Sequence, residues 1–384
     1  MEHRRYLVKA MVLLIGNYSL DQQQSMQRFA AMMLQGLTAS RIPAELIQPT
    51  PMFGRFRWAG RFVTKWLAYV DKYILFPLQL KRRLTARPAL VHICDHSNAV
   101  YAKHCRDQPV LVTCHDLLAV RGALGEQTDC PASLTGRLLQ RWILNGLGHA
   151  DAIICDSAAT AADAKNLIGR NGRPRIDVVL LGLSYPYKKL ATQIARDRLA
   201  PVGGLDSDLP FFLHVGSNLR RKNRDGVLRI FARLKDQWNG QLVFAGEPLD
   251  SSLQNLARDL GVENRVREVV NPTNELLEAL YNCAVALLYP SRFEGFGWPI
   301  IEAQACGCPV ICSTSGPLPE VAGQAGRFHS VEDEAGFASD LLRMLDPAER
   351  EKWSEESLHN SERFSSVRMI AHYIEFYRLL GAGI

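Results

Sequence analysis

The residues best suited to chemistry lie in one string, Pro290-Ser-Arg-Phe-Glu294-Gly-Phe-Gly297-Trp-Pro299-Ile-Ile-Glu302-Ala-Gln-Ala-Cys-Gly307. An apolar, strand-like run ends at Pro290, a loop with two glycines follows, and Pro299 suits the first turn of a helix that Gly307 closes. This spacing puts Glu294 in the loop and Glu302 early in the helix. Gly295 and Gly297 let the backbone approach a ligand closely, and the free N–H groups of a helix start can hold an anion such as a diphosphate. Two carboxylates with seven residues between them, flanking a strand-to-helix turn, can grip hydroxyls at both ends of an activated sugar. A glutamate pair alone is more often one cap and one surface acid, so the surrounding string carries the argument.

A second segment, His214-Val-Gly216-Ser-Asn-Leu-Arg220-Arg221-Lys222-Asn223, follows another apolar run. Its glycine can bring backbone to a diphosphate while the bases neutralise the charge. A solvated basic turn has the same composition. A third, Val112-Thr-Cys-His115-Asp116, ends a strand-like run, as do Asp95-His96, Asp156-Ser157 and Gly16-Asn17. Ordinary turns and N-caps use the same residue types.

The elements that must position these residues are short apolar runs alternating with helical spacing, the pattern of parallel strands covered on both faces by crossover helices. Runs at Ala10–Ile15, Leu90–Cys94, Val110–Cys114, Ala152–Cys155 and Ile176–Leu181 form one set. Phe211–Gly216, Gln241–Gly246, Arg265–Val269, Val285–Pro290 and Cys308–Ser313 form another, with a helix expected from Asp225 to Trp238 and others near 251–260 and 274–282. Pro201 to Pro210 is turn-rich and reads as the linker. Ligands in such open sheets sit at the carboxyl ends of the strands, here in a cleft between two domains.

The three segments and the elements around them resemble the E-x7-E pattern of family 4 glycosyltransferases, retaining enzymes of the GT-B fold; Pro309-Val-Ile-Cys-Ser-Thr-Ser and Pro319-Glu-Val continue the likeness. The resemblance implies an α/β chain of two Rossmann-like domains with parallel sheets facing a central cleft. Residues 1–203 form the acceptor-side domain, 204–365 the nucleotide-sugar domain, and a last helix within 366–384 crosses back to the first. It implies a retaining hexosyltransferase acting from a nucleotide-diphosphate sugar of the GDP-mannose or UDP-glucose type on a hydroxyl, in cell-surface polysaccharide or glycolipid synthesis.

Carried over residue by residue, Glu294 contacts the donor sugar and Glu302 the ribose, and the amides around Phe296 and Gly297 meet sugar and phosphate. Arg221 and Lys222 stabilise the leaving diphosphate, with Gly216 and Asn223 in the same segment among the donor-binding residues; which of Arg220, Arg221 and Lys222 reaches the phosphates is left open. His115 is a sugar or acceptor contact, with Asp116 and Gly16 beside it. No metal and no cofactor beyond the donor is implied. Asp206-Ser-Asp208 mimics a metal-binding D-x-D but falls in the linker. Relatives have a glycine pair where this chain has Gly16-Asn17, so acceptor geometry is not carried over. A carboxylate-pair hydrolase, a GT-B epimerase and a non-catalytic sugar-nucleotide scaffold are the alternatives.

Charge divides the chain. Residues 1–200 hold 27 bases against 14 acids and the remainder 18 against 25, so a net +6 conceals +13 and −7. Much of the first excess lies between Arg55 and Arg83, where eight bases and seven aromatics accompany one acid, Asp71. Such an amphipathic segment suits an anionic membrane surface, or packs its rings inward with its bases in solvent. Without a recognition module, nucleic acid is not the expected partner. Nine cysteines, mostly inside apolar runs, read as reduced, buried thiols. Met1-Glu-His-Arg-Arg before an apolar run reads as the start of a strand rather than a signal peptide. With no run as long as a membrane span, the expected place is the cytoplasm, peripheral at the inner face of the plasma membrane.

Overall fold

A computed structural model describes residues 11–21, 23–56, 60–168, 173–203, 205 and 209–384, with the side chains of 61 and 62 excepted. The Asp206-Ser-Asp208 motif, the start of the first expected strand and residues 57–59 of the basic segment lie outside the described residues. Two compact units are present, 1–184 with 366–384 and 185–365.

The first unit carries a six-stranded sheet in the order β2-β1-β3-β4-β5-β6, all parallel: β1 (Val12–Ile15), β2 (Ala44–Ile47), β3 (Leu90–Ile93), β4 (Val110–Cys114), β5 (Ala152–Cys155) and β6 (Arg175–Val178). β1, β3, β4 and β5 are buried throughout, the result expected of unbroken apolar runs. The C-terminal helix Ser366–Leu379 belongs to this unit. Its Tyr377 hydroxyl lies 2.7 Å from His92 Nδ1 and its Tyr373 hydroxyl 2.9 Å from Thr113 Oγ1, so the helix is joined to β3 and β4 through polar contacts inside the core.

The second unit repeats the plan in the order β12-β11-β10-β7-β8-β9, again parallel: β7 (Phe211–Gly216), β8 (Gln241–Gly246), β9 (Val266–Val270), β10 (Ala286–Tyr289), β11 (Val310–Ser313) and β12 (Gly326–His329). Strands run outward in both directions from the β7–β10 pair, which makes it the switch point where ligands bind in open sheets. The expected helix from Asp225 to Trp238 is shorter, Arg224–Ala232. Trp238, beyond the helix, packs tilted against Phe212 at 4.5 Å and edge-on to Phe231.

The division between units falls at Ser184 rather than at 203. Residues 185–199 are tied to the helix Asn274–Cys283: the Lys188 and Leu190 amides donate to Glu278 and Asn282 side chains, and Arg198 pairs with buried Glu278 at 2.6 Å. The turn-rich stretch that reads as a linker therefore lies within the second unit, after a helix already docked there, Thr192–Leu199.

Between β2 and β3 the basic segment forms helices Gly60–Val70 and Phe76–Leu84, joined without a break by a π-helical turn, Asp71–Leu75. Asp71, its one acid, is buried and accepts hydrogen bonds from the Tyr18 hydroxyl at 2.8 Å and from the amides of Met52, Phe53 and Gly54. Phe76 and Leu80 are buried, whereas Val63, Trp66, Ile74 and Leu78 stand 44–57% exposed. All nine cysteines are free and seven are buried. Burial raises the thiol of Cys105 to about 12 and pushes Cys94 and Cys312 higher still.

Candidate functional site

The β7–β10 adjacency brings together the two segments that the sequence singled out in the second unit. After β7 the chain makes a short 3-10 turn, Arg220–Lys222, which Asn223 ends in the left-handed region at φ 55°. The turn is sewn to the loop after β10: the Arg292 amide donates to the Arg221 carbonyl at 2.7 Å, the Asn223 amide group donates to the Pro290 carbonyl at 2.9 Å, and Arg292 donates to Asn223 Oδ1 at 3.0 Å. Asn223 thus braces the loop with both ends of its amide. Gly216 gives its carbonyl to buried Arg224 at 2.6 Å, and a Cβ there would meet only ordinary contacts at 3.4 Å.

This frame sets Glu294 against both bases. Its Oε2 accepts from Arg221 at 2.7 Å and its Oε1 from Lys222 at 2.7 Å, and the Tyr289 hydroxyl, on β10, donates to Oε1 while accepting from Lys222. Burial works to raise the Glu294 carboxyl, but Lys222 and Arg221 overcome it and hold the group down at about 2. Burial lowers the Lys222 ammonium and Glu294 partly restores it. Lys222 has three N–H donors and uses two here, so one stays available to a ligand among the described residues. The cluster is one carboxylate against two cations, a net positive site at the carboxyl end of the sheet.

Gly297 caps the helix Trp298–Ala305 at φ 107°, where a Cβ would lie 2.8 Å from Leu318; only glycine fits both demands. Phe296 turns its ring into the core against Phe364, leaving its backbone as the part available to a ligand. Glu302 sits on the helix and accepts from the Tyr281 hydroxyl at 2.9 Å while 4% exposed. Sequence reasoning missed Tyr289, Tyr281 and Arg224. Tyr289 had a local signal, a single hydroxyl closing an apolar run.

In the first unit the strand ends also gather. His115, after β4, places Nδ1 3.1 Å from Asp156 and Nε2 3.0 Å from the Cys94 carbonyl, with its ring edge-on to Phe29. Both ring nitrogens are therefore engaged inside the unit, a finding that sequence could not foresee. Asp116 Oδ1 accepts from the Leu118 amide at the start of the next helix, and the Gly16 amide donates to the Ile47 carbonyl in the sheet ladder. Asn17 bonds to Gln23, Asp95 and Asn98, so the strand ends of β1 and β3 are linked.

The His115–Asp156 pair has a measurable consequence. Burial disfavours charge on His115, but Asp156 outweighs it and the proton affinity is raised; burial likewise raises Asp156 to about 6. The Cys94 carbonyl can only accept, so Nε2 carries a proton, and a second proton lies between Nδ1 and Asp156. An unfolded histidine loses that proton near pH 6.5. Above it the folded chain binds more protons than the unfolded one, so stability falls as pH rises. His92 and His214, lowered to about 3 by burial, act in the opposite sense and cost stability as pH falls through the same value. Thermal unfolding of His115→Asn is expected to weaken the decline above about pH 6.5, leaving the share that His96, raised by Asp95, supplies, and to keep the decline below it. An unchanged alkaline decline refutes the shared proton.

Residues 195–359 match the family described as glycosyl transferases group 1, and residues 26–183 match glycosyltransferase family 4. The D-inositol 3-phosphate glycosyltransferase of Mycolicibacterium smegmatis is 30% identical over 279 residues, which cover 70% of this chain but 61% of that relative's own length. Among solved structures, a sucrose-phosphate synthase from Thermosynechococcus elongatus is similar with a TM-score of 0.77 at 21% identity, over 98% of this chain and 100% of that one. Anabaena HepE in complex with UDP is similar at 0.71 and 16%, over 96% and 99%. One family match falls on each sheet, and the group 1 match contains the turn and loop that meet at the second switch point; the chain belongs to the group 1 glycosyltransferases and has their two-domain GT-B fold.

Proposed function

We propose that the chain transfers a hexosyl unit from a nucleoside diphosphate sugar to a hydroxyl acceptor with retention of configuration. The observation that carries this reading is the Glu294–Lys222–Arg221 cluster at the β7–β10 switch point. As the bond from the anomeric carbon to the diphosphate breaks, negative charge grows on the departing phosphate oxygens. Lys222, Arg221 and the amides near Gly297 stabilise it and supply the counter-charge that a metal gives elsewhere. Glu294, held ionised, takes hydroxyls of the donor sugar, and Glu302 with Tyr281 takes the ribose. The acceptor hydroxyl attacks from the face the diphosphate leaves and passes its proton to the departing phosphate oxygen, so no protein nucleophile is needed. In the first unit Asp116 and the backbone at the end of β4 are the candidate contacts, because both ring nitrogens of His115 are engaged.

A hydrolase is the weaker reading. It requires one carboxyl to give a proton near neutral pH, and Glu294, held at about 2 by two bases, cannot be that acid.

The UDP complex of HepE favours a uridine donor, with GDP-mannose the principal competitor. The test is incubation with a panel of nucleoside diphosphate sugars with and without sugar and glycolipid acceptors, in the presence of a chelator. Acceptor-dependent release of nucleoside diphosphate is expected, with anomeric retention in the product and no loss to chelation. Donor binding without turnover on any acceptor would make the chain a scaffold instead.

The first unit's segment 55–83, with exposed apolar side chains and bases at 55, 65, 81 and 82 among its described residues, supports seating on an anionic membrane and hence a glycolipid or polysaccharide precursor as acceptor. No helix among the described residues is long and apolar enough to cross a membrane. The seat we propose is peripheral, at the cytoplasmic face.

A further inference from the structure

A cavity of 110 Å³ opens in the first unit among Tyr73, Tyr101, Lys103, His104 and Trp142. It is remote from the strand-end residues. The 3-10 helix His96–His104 starts at the carboxyl end of β3 and carries His104 about 18 Å away, at roughly 2 Å per residue, toward the start of β4.

Two features give the cavity a chemistry. Bases converge on it. Lys103 and His104 both line it, the charges of Lys103 and Lys81 add to burial in lowering His104, and neither lysine has an ion-pair partner among the described residues. Aromatic rings lead into it. Trp66, Tyr69, Tyr73 and Trp142 follow one another at centroid distances of 5.6, 5.5 and 5.0 Å, running from the exposed helix Gly60–Val70 to the cavity wall. Lys65 lies over Tyr69, Lys72 over Tyr73 and Lys103 over Trp142, at 5.8, 5.7 and 5.0 Å. A phosphate suits the bases, and an apolar tail suits the rings and the exposed Trp66, Ile74 and Leu78.

We propose that this cavity binds the phosphate of an anionic lipid headgroup, a site separate from the one that handles the donor. The proposal rests on the membrane reading of segment 55–83. Lys103 and His104 donate to the phosphate oxygens, and the acyl chains lie along the aromatic ladder.

The full chain is titrated by calorimetry with dihexanoyl phosphatidylglycerol, glycerol phosphate and inorganic phosphate. It is also sedimented with phosphatidylcholine vesicles with and without phosphatidylglycerol. Saturable binding of the short-chain lipid is expected, weaker by about tenfold in Lys103→Glu and in His104→Ala, the size of one lost charged hydrogen bond. Lys103→Arg, which keeps the charge, and Lys235→Glu, the same charge change in the second unit, are expected to bind as the parent does. Lipid binding that Lys103→Glu and His104→Ala leave untouched overturns the proposal, even where the vesicles still bind. If soluble lipid binds in a Lys103-dependent way and the vesicles do not, the cavity stands and the membrane reading falls. Free phosphate binding as tightly as the lipid overturns the lipid as occupant.

Discussion

Glu294→Gln is expected to cut turnover by roughly a hundred- to a thousandfold while leaving donor affinity unchanged or improved. Glutamine fills the same volume and can still accept from Tyr289, so the geometry of the loop survives. The negative charge that now occupies Arg221 and Lys222 is lost. Neither base is then neutralised by Glu294 when it meets a diphosphate, which works in favour of binding. The catalytic loss comes from the sugar side, where a neutral amide no longer stabilises the positive charge developing on the ring as the bond breaks. The fold is expected to weaken by about 1–2 kcal/mol; Lys222 is buried without its counter-ion, but Arg221 is partly exposed and water screens it. Initial rates of nucleoside diphosphate release at saturating donor, set beside thermal unfolding, separate the two effects. Near-parental turnover in a folded variant would remove Glu294 from the site.

Asp71→Ala is expected to be the most damaging substitution for stability in the first unit, at about 3–5 kcal/mol. One buried carboxylate holds the Tyr18 hydroxyl and three consecutive amides, Met52 to Gly54, so its loss leaves four donors without an acceptor. It also removes the side chain that fixes the π-helical turn against the loop after β2. Tyr18→Phe made in the same background adds little, because its hydroxyl has already lost its partner, and a double-mutant cycle reads this as non-additivity. Denaturant unfolding measures both. A cost under about 1 kcal/mol would mean that the 52–54 loop is held by something other than Asp71.

What was legible in the sequence follows from how local each cause is. β1, β3, β4, β5, β7, β8 and β10 announce themselves because strands buried on both faces need unbroken apolar runs. β2 and β12 are edge strands with partly exposed residues, and Ala44-Glu-Leu-Ile and Gly326-Arg-Phe-His carry no such run. The turn at 220–223 and the loop at 290–297 were readable as chemistry, yet their meeting depends on β7 lying beside β10, and no local pattern encodes that adjacency. Tyr281 meets Glu302 across 21 residues and Tyr18 meets Asp71 across 53, so neither partnership could be seen from composition. The boundary at Ser184 was hidden for a related reason. Pro201 to Pro210 has every local mark of a linker, while the side chains that dock 185–199 come from a helix some ninety residues downstream.

The free thiols supply a built-in reporter of opening. Cys94, Cys105, Cys114 and Cys155 are buried in the first unit and Cys306, Cys308 and Cys312 in the second, while Cys130 and Cys283 are half-exposed and mark the background of each. A thiol kept out of water and far from its thiolate form is inert to alkylation until its surroundings unfold. Pulsed alkylation followed by peptide mapping therefore resolves, cysteine by cysteine and in the unmodified chain, which of the two units opens first and whether a bound nucleotide delays only the second.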